Sequence, residues 1–130
     1  MKISRSAGYG LLSMGYIAKN KDKKIVMSQG ISEEYNIPLP YFLKIMQHLV
    51  RVNVLRSKRG PKGGFSLAKP VDKISMLEII EAVDGPMGGP LDLFEEFPNE
   101  KFCIKMEKVY EKATAQAKAV YEKTKLSDLI

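Results

Sequence analysis

Apolar residues recur at helical spacing near the start of the chain. They follow one another at intervals of three or four residues: Ala7, Leu11, Met14 and Ala18. Ser4 precedes them as a candidate N-cap, and the polar loop "NKDKK" follows them. After the loop we expect a short second helix with Ser28 as its N-cap. It should end near Asn36, because Asn36 and the following Pro38 both favour a stop.

The third predicted helix has the most informative pattern. Pro40 suits its first position, where the missing N–H of proline costs nothing. At about 100° per residue, one side gathers apolar residues: Phe42, Ile45, Met46, Leu49 and Val50. The other side gathers polar and basic residues without an acid: Tyr41, Lys44, Gln47, His48 and Arg51. A short helix followed by a helix with one apolar face and one basic face indicates a helix-turn-helix. The alternative is that the third helix is an ordinary amphipathic surface helix.

A basic, glycine-rich segment, "RSKRGPKGGFSL", follows this helix at residues 56–67. Val54 and Leu55 lead into one short strand, and residues 65–68 form a second, so the glycines between them close a hairpin. We name this hairpin, residues 54–68, the wing. A phosphate-binding loop needs Lys and Ser or Thr directly after its last glycine, where this chain has Phe65. A flexible linker would not carry Phe65 and Leu67 in alternation. The wing interpretation gives a cationic tip suited to phosphates or to a narrow minor groove: Arg56, Lys58, Arg59 and Lys62.

Two more helices and one irregular stretch are predicted in the second half. Ser75 and Glu78 form a capping box before an apolar run that ends at Gly85. One long helix is expected from Glu100 to Lys123. Its apolar stripe, here called the α6 stripe, contains Phe102, Met106, Val109, Ala113, Ala117 and Val120. We interpret the α6 stripe as a dimer seam, since so long a helix exceeds what a small domain can cover; an ordinary core-facing helix is the alternative.

The predicted fold class is mainly α with a small β-hairpin: a winged helix-turn-helix domain plus a long C-terminal dimerisation helix. The expected organisation is a DNA-binding domain over residues 1–85, an irregular Gly/Pro-rich loop over 86–99, and the helix and tail over 100–130. At 130 residues the chain is long enough for one core, and its 45% hydrophobic content argues against disorder.

Charge divides unequally between the two halves. Residues 1–75 hold 14 Lys/Arg and 4 Asp/Glu, whereas residues 76–130 hold 7 and 11. This asymmetry indicates an anionic partner for the first half, with a lysine-rich solvated surface as the alternative. No apolar run reaches the roughly 18 residues of a membrane span, and the start lacks the apolar core of a secretory signal. The single Cys103 makes neither an internal disulfide nor a structural zinc site, so we expect a cytoplasmic protein.

Several segments together resemble the Rrf-two family of bacterial winged-helix transcription regulators, which includes an iron–sulfur cluster regulator and a cysteine-metabolism repressor. The segments are "MKISRSAGYGLLSM", "YFLKIMQHLVRVNVLRSKRGPKGGFSLAKP", "ISMLEIIEAVDGP" and "VYEKTKLSDLI". The most specific is "RGPKGG" followed by an aromatic residue, Ser, Leu and Ala. The resemblance covers nearly the whole chain.

The resemblance implies a homodimer with crossing C-terminal helices that binds a palindromic operator in double-stranded DNA. It assigns Tyr41, Lys44, Gln47 and His48 to the major groove and Arg59 to the minor groove. Ser4 and Arg5 are expected to contact phosphate. Leu43 and Pro40 differ from the polar residues frequent at the matching positions, so the family's usual operator sequence is not carried over to this chain.

The cysteines depart further from the family. Cluster-binding members carry three cysteines in the region matching residues 90–105, where this chain has only Cys103. One thiolate does not supply a cluster, so we predict no iron–sulfur cluster, no other cofactor and no metal site. Nearby oxygen donors suit magnesium or calcium in principle, but solvation is the simpler interpretation: Asp92, Glu95 and Glu96. Cys103 itself is expected to be a buried apolar residue; the alternatives are a vestigial cluster ligand and a redox thiol whose pKa Lys101 and Lys105 lower.

The leading hypothesis is a homodimeric, sequence-specific transcriptional repressor, regulated by a small molecule, a thiol change or a protein partner. The alternative is a winged-helix module that has lost specific operator binding and acts through protein or RNA contacts. An enzyme has little support, because the sequence shows no nucleophile–base pair, ligand cluster or working phosphate loop.

Overall fold

Six helices and a three-stranded antiparallel sheet make up the part of the chain that the structure, a computed structural model, describes: residues 2–89 and 91–130. The helices are α1 (Arg5–Lys19), α2 (Ser28–Glu34), α3 (Leu39–Arg51), α4 (Met76–Asp84), α5 (Asp92–Glu96) and α6 (Lys101–Lys123). The strands are β1 (Val26–Met27), β2 (Leu55–Lys58) and β3 (Gly64–Leu67). Two 3₁₀ turns cover Val71–Lys73 and Leu126–Leu129. The predicted fold class, mainly α with a hairpin and a long last helix, is confirmed.

The helix ends follow local side-chain chemistry. Ser4 is the N-cap of α1, and its hydroxyl accepts a hydrogen bond from the Ala7 N–H at 3.0 Å. The capping box of α4 is complete: the Ser75 hydroxyl accepts from the Glu78 N–H at 3.1 Å, and the Glu78 carboxylate accepts from the Ser75 N–H at 3.0 Å. Gly85 ends α4 with a φ of 84°, a conformation that favours glycine. These three predictions are confirmed.

Two predicted helix starts are wrong by one residue. Met27, not Ser28, is the N-cap of α2, because pairing in β1 holds Met27 extended until the helix begins. Helix α3 begins at Leu39, one residue before Pro40, since the Pro38 carbonyl already accepts the Phe42 N–H at 2.9 Å. Pro40 still lies in the first turn, where its missing N–H is not needed.

The wing is a hairpin of β2 and β3, as predicted, and β1 pairs with the other edge of β3. Gly63 and Gly64 of the wing are required because neighbouring backbone atoms leave no room for a side chain. A Cβ on Gly63 would collide with the carbonyl oxygen of Lys58, and one on Gly64 with the carbonyl oxygen of Val26. Strand β1 was not predicted, because two residues carry no alternation and depend on β3 for their pairing.

One continuous core joins the winged domain to the end of the chain. Phe42 of α3 meets Phe65 of β3 edge to face, with ring centroids 6.2 Å apart. Leu126, beyond α6, is 1% exposed and belongs to the same cluster as Met14. The Leu126 N–H donates to the Ile74 carbonyl at 2.8 Å. The final segment therefore completes the core that fixes α3 and the wing.

The loop before α6 is more ordered than predicted. Residues 86–99 were expected to be irregular, but α5 occupies Asp92–Glu96. Phe94 drives this turn by packing its ring against Tyr110 of α6, with centroids 6.1 Å apart. Such a short helix depends on a tertiary contact, which periodicity does not reveal. Pro90, in the same predicted loop, lies outside the described residues.

Candidate nucleic-acid interface

Helix α3 presents the predicted polar side to solvent. Its apolar side is buried at Phe42, Ile45, Met46 and Leu49, and Val50 is half-buried. On the other side, Lys44, Gln47 and Arg51 are exposed, Tyr41 is 38% exposed and His48 is half-buried. Donors and acceptors on an exposed helix face are what a major groove requires. The assignment of these side chains to DNA remains a prediction.

The first turns of α1 are joined to α3 by a small polar network. The hydroxyls of Ser6 and Tyr41 are hydrogen-bonded, and the rings of Tyr9 and Tyr41 meet edge to face at 6.1 Å. Arg5 donates from Nε to the Tyr9 hydroxyl at 2.9 Å, and its guanidinium carbon lies 5.2 Å from the Tyr9 ring centroid. The structure thus brings Arg5 and Tyr41 to one surface.

Ser4 is engaged within the chain. Its N–H donates to the Asp84 carboxylate at 3.0 Å, and its hydroxyl donates to the other oxygen of the same carboxylate. That hydroxyl also caps α1. These bonds tie the start of α1 to the end of α4 and place a negative charge beside Ser4. The phosphate contact expected of Ser4 stays a prediction, and Arg5 next to it is exposed.

The wing carries its four predicted cations in full exposure. Arg56 and Lys58 lie on β2, and Arg59 and Lys62 lie in the turn that follows. A groove of about 740 Å³ runs between the wing and α3. Arg51 from α3 and Lys58 and Arg59 from the wing all contribute to its lining. The structure therefore brings Arg51 of α3 and Lys58 and Arg59 of the wing to one groove.

Charge on this surface has a single sign. Residues 35–71 contain seven Lys/Arg and no Asp/Glu. Within residues 2–89 and 91–130, the ion pairs are Lys69–Glu78 at 3.0 Å and Lys118–Glu81 at 3.6 Å. None of these pairs involves the six cations of α3 and the wing: Lys44, Arg51, Arg56, Lys58, Arg59 and Lys62. An exposed, unneutralised set of cations of this kind attracts a polyanion.

The family model described as Rrf2, iron-dependent transcriptional regulator, matches residues 3–130. The chain belongs to the Rrf2 family. This is the Rrf-two family that the sequence resembled, so the prediction of family is confirmed. The match extends from the first turn of α1 through the wing to the last residue.

Two relatives of this Rrf2 protein are named as HTH-type transcriptional regulators. A sequence of Aquifex aeolicus described as an HTH-type transcriptional regulator is 33% identical over 134 residues, covering 100% of this chain and 92% of the relative. IscR of Cereibacter sphaeroides, also an HTH-type transcriptional regulator, is 31% identical over 86 residues, covering 65% of this chain and 56% of IscR. The Rrf2 chain is therefore a DNA-binding transcription regulator and not an enzyme.

A solved structure agrees with this assignment. CymR, the global cysteine regulator of B. subtilis, superposes with a TM-score of 0.83 at 25% identity, over 99% of this chain and 95% of CymR. Among the described residues, no helix is long and apolar enough to cross a membrane.

The iron in the family description finds no matching ligand set here. Across residues 2–89 and 91–130, no three His, Cys, Asp or Glu side chains converge as a metal site would require. The single thiol, Cys103, lies in the first turn of α6 and is buried. An iron–sulfur cluster needs mostly thiolate ligands, so these residues do not fit one.

The pKa of Cys103 is raised, whereas the redox alternative requires a lowered pKa. Desolvation raises the pKa of the thiol, and the negative charge of Glu100 and a hydrogen bond to it raise it further. The alternative in which Lys101 and Lys105 lower this pKa is wrong, because residues two apart on a helix project about 200° from each other. The predicted burial of Cys103 is confirmed.

Helix α6 leaves half of the α6 stripe uncovered. Phe102 is 68% exposed, Val109 69% and Val120 62%, whereas Met106, Ala113 and Ala117 are half-buried. The adjacent side of α6 packs on its own chain through Cys103 and Thr114. Phe102, Met106 and Val109 also line an apolar cleft of about 570 Å³ beside α5. The role of the stripe as a dimer seam remains a prediction.

Two contributors were absent from the predicted interface. Ser6 and Tyr9 reach it through Tyr41, in a contact between α1 and α3 that joins residues more than 30 positions apart. The four-residue spacing of Arg5 and Tyr9 on α1 is the one sequence signal that could have indicated half of this network.

Proposed function

We propose that this Rrf2 protein is a homodimeric repressor that binds a palindromic operator without an iron–sulfur cluster. The observation that carries the proposal is the acid-free surface formed by α3 and the wing, with six exposed cations outside any ion pair of the described residues. Such a surface suits the phosphate backbone, and the polar side of α3 suits base edges.

Three parts of the surface have separate roles in this proposal. Lys44, Gln47 and His48 enter the major groove together with Tyr41, which the network with Ser6 and Tyr9 holds in place. The wing cations approach the backbone, and Arg59 enters the minor groove. Arg5 neutralises a phosphate from the start of α1.

The homodimer is supported by the chemistry of α6. Twenty-three residues make a helix of about 35 Å, yet Phe102, Val109 and Val120 project away from the chain's own core. A stripe of large and small apolar side chains suits a second copy of the same helix, because a two-fold axis matches the stripe to itself. A two-fold axis would in turn give the operator its palindrome.

The signal that releases the operator is proposed to be a small-molecule or protein effector, since the residues of this chain do not fit a cluster. A regulator of chromosomal DNA acts where the chromosome lies, so we propose a cytoplasmic location.

Selection from a randomised duplex pool tests the specific part of the proposal. Successive rounds with the full-length protein should enrich one palindromic sequence. Fluorescence anisotropy should then show at least about a thousandfold preference for it over a scrambled duplex at the same salt concentration. Equal affinity for both duplexes would contradict operator recognition and favour the protein- or RNA-binding alternative.

The direction of regulation needs a separate measurement. With the selected sequence placed over a promoter, expression of the protein should lower transcription of a reporter gene. Increased transcription would identify an activator and contradict the repressor assignment. The Arg59→Ala variant is the matched control, because it keeps the fold and removes one DNA contact.

A further inference from the structure

The exposed surface of α3 is polar along its middle and along one edge, but apolar along the other. Leu39, Leu43 and Val50 fall within about 40° of one another at 100° per residue, so they form one line along the helix. Leu39 is 41% exposed, and Leu43 and Val50 are half-buried. We call these three residues the apolar row. Tyr41 and His48 lie on the opposite edge, beside α1.

The apolar row forms one wall of the groove between α3 and the wing. Met27, 48% exposed, continues the apolar surface beyond Leu39. Four large apolar side chains thus face a groove whose other lining includes Arg51, Lys58 and Arg59. Cations around the groove favour a polyanion as its occupant, although part of its wall is apolar.

A DNA duplex has one apolar group on its major-groove edges, the 5-methyl group of thymine. The other base-edge groups are hydrogen-bond donors and acceptors, which an apolar side chain would desolvate without pairing. Residues near the start of a recognition helix are the ones that contact base edges. Leu39 is the first residue of α3 and Leu43 is the fifth.

We propose that Leu39 and Leu43 are specificity-determining residues that read thymine methyl groups in each half of the operator. The inference rests on the DNA-binding function proposed above and adds the identity of bases to it. The wing cations hold the duplex in the groove, and the apolar row discriminates thymine from cytosine and from purines at one or two positions.

Removing only the methyl group tests this directly. Each thymine of the selected duplex is replaced in turn by deoxyuridine, and the affinity of the unaltered protein is measured by anisotropy. At one or two positions in each half-site, the affinity should fall about fourfold, the effect of one buried methyl group. Positions outside the contacted half-sites should show no change.

Protein variants assign the methyl contact to the apolar row. Leu39→Ala and Leu43→Ala should bind the thymine duplex more weakly and lose the difference between thymine and deoxyuridine. Leu12→Ala, at a leucine of α1 that is 47% exposed, is the matched control and should keep that difference. Leu39 is 41% exposed and outside the buried core, so its variant should fold even if Leu43→Ala proves unstable.

The outcomes separate the inference from the function beneath it. Tight operator binding that is indifferent to deoxyuridine would overturn the inference and leave the function intact. A thymine preference that persists in both leucine variants would overturn the assignment to the apolar row. Failure to select any preferred duplex would overturn the operator function itself, and with it the basis of the inference.

Discussion

Residues 35–71 and helix α6 each leave a surface uncovered, but the two surfaces have opposite chemistry. In residues 35–71 core side chains such as Phe42 are buried, a few apolar residues such as Leu39 are partly exposed, and six cations are exposed outside the ion pairs of the described residues. On α6 cations and acids are intermixed, and large apolar side chains such as Phe102 and Val109 are exposed. The first surface suits a polyanion and the second suits another apolar surface.

This difference separates what one copy of the chain packs for itself from what it leaves uncovered. The core that fixes α3 and the wing is closed within one copy, since even Leu126 contributes to it. The length of α6 exceeds what that core covers. The core therefore orders α3 and the wing within one copy, whereas half of the α6 stripe stays uncovered.

The same substitution, Phe to Ala, at a buried and at an exposed phenylalanine tests the contrast between the core and the α6 stripe. Phe42 is 0% exposed and Phe102 is 68% exposed. Phe42→Ala should lower the free energy of unfolding by about 3–5 kcal/mol, because it leaves a cavity in the core. Phe102→Ala should change it by less than about 0.5 kcal/mol in the monomer. Urea unfolding at low protein concentration checks both values, and equal losses would contradict the contrast.

Val109→Glu should disrupt assembly while leaving the winged domain folded. An unpaired charge in an apolar seam is costly, so we expect the dimer dissociation constant to rise at least about a hundredfold. Operator affinity should fall by a similar factor, because the two half-sites are no longer bound by one linked particle. Sedimentation equilibrium distinguishes the monomer of 14.6 kDa from a particle of twice that mass.

Lys108→Glu is the control for this substitution. Lys108 is exposed on α6 and projects about 100° from Val109, away from the α6 stripe. The control adds the same side chain and a larger charge change, yet should remain dimeric. A dimeric Val109→Glu, or a monomeric Lys108→Glu, would contradict the assignment of the seam.

Arg59→Ala should weaken operator binding without changing assembly. Removal of one groove contact typically lowers affinity about tenfold to a hundredfold. Lys108→Ala removes a cation from α6 instead and should bind within a factor of about two of the unaltered protein. Comparable losses in both variants would indicate that total charge, rather than the surface of α3 and the wing, determines binding.

The smallest expected effect concerns Cys103. Because burial and Glu100 raise the pKa of the thiol, it should react with iodoacetamide more slowly at neutral pH than in the unfolded chain. Its contribution to stability is present below the pKa of the unfolded thiol and is lost as the pH rises through the folded pKa. Fast alkylation of the folded protein at neutral pH would contradict the assignment of an inert thiol.

Sequence patterns predicted what short-range chemistry determines. Ser4, the Ser75–Glu78 box and Gly85 specify helix ends within four residues of themselves, and the periodicity of α3 specifies its buried side. The patterns missed features that need a distant partner. Strand β1 depends on β3, and α5 depends on the contact between Phe94 and Tyr110.

The candidate site also contains features that follow from local sequence and features that need a distant partner. Exposure of the cations of α3 and the wing follows from local pattern and was predicted. The network of Ser6, Tyr9 and Tyr41 requires knowledge of how α1 crosses α3, which periodicity does not contain. Burial of Cys103 was predicted, whereas the lowered pKa of the redox alternative was wrong because proximity in sequence is not proximity around the helix.

The salt dependence of operator binding tests the central claim most directly, namely that the acid-free surface of α3 and the wing binds DNA. If the six exposed cations of one copy displace counterions, the logarithm of the binding constant should fall with the logarithm of salt concentration with a slope of about −5 or steeper. The preference for the selected duplex over a scrambled one should persist along the series. A slope near zero, with no preference between the duplexes, would contradict the account.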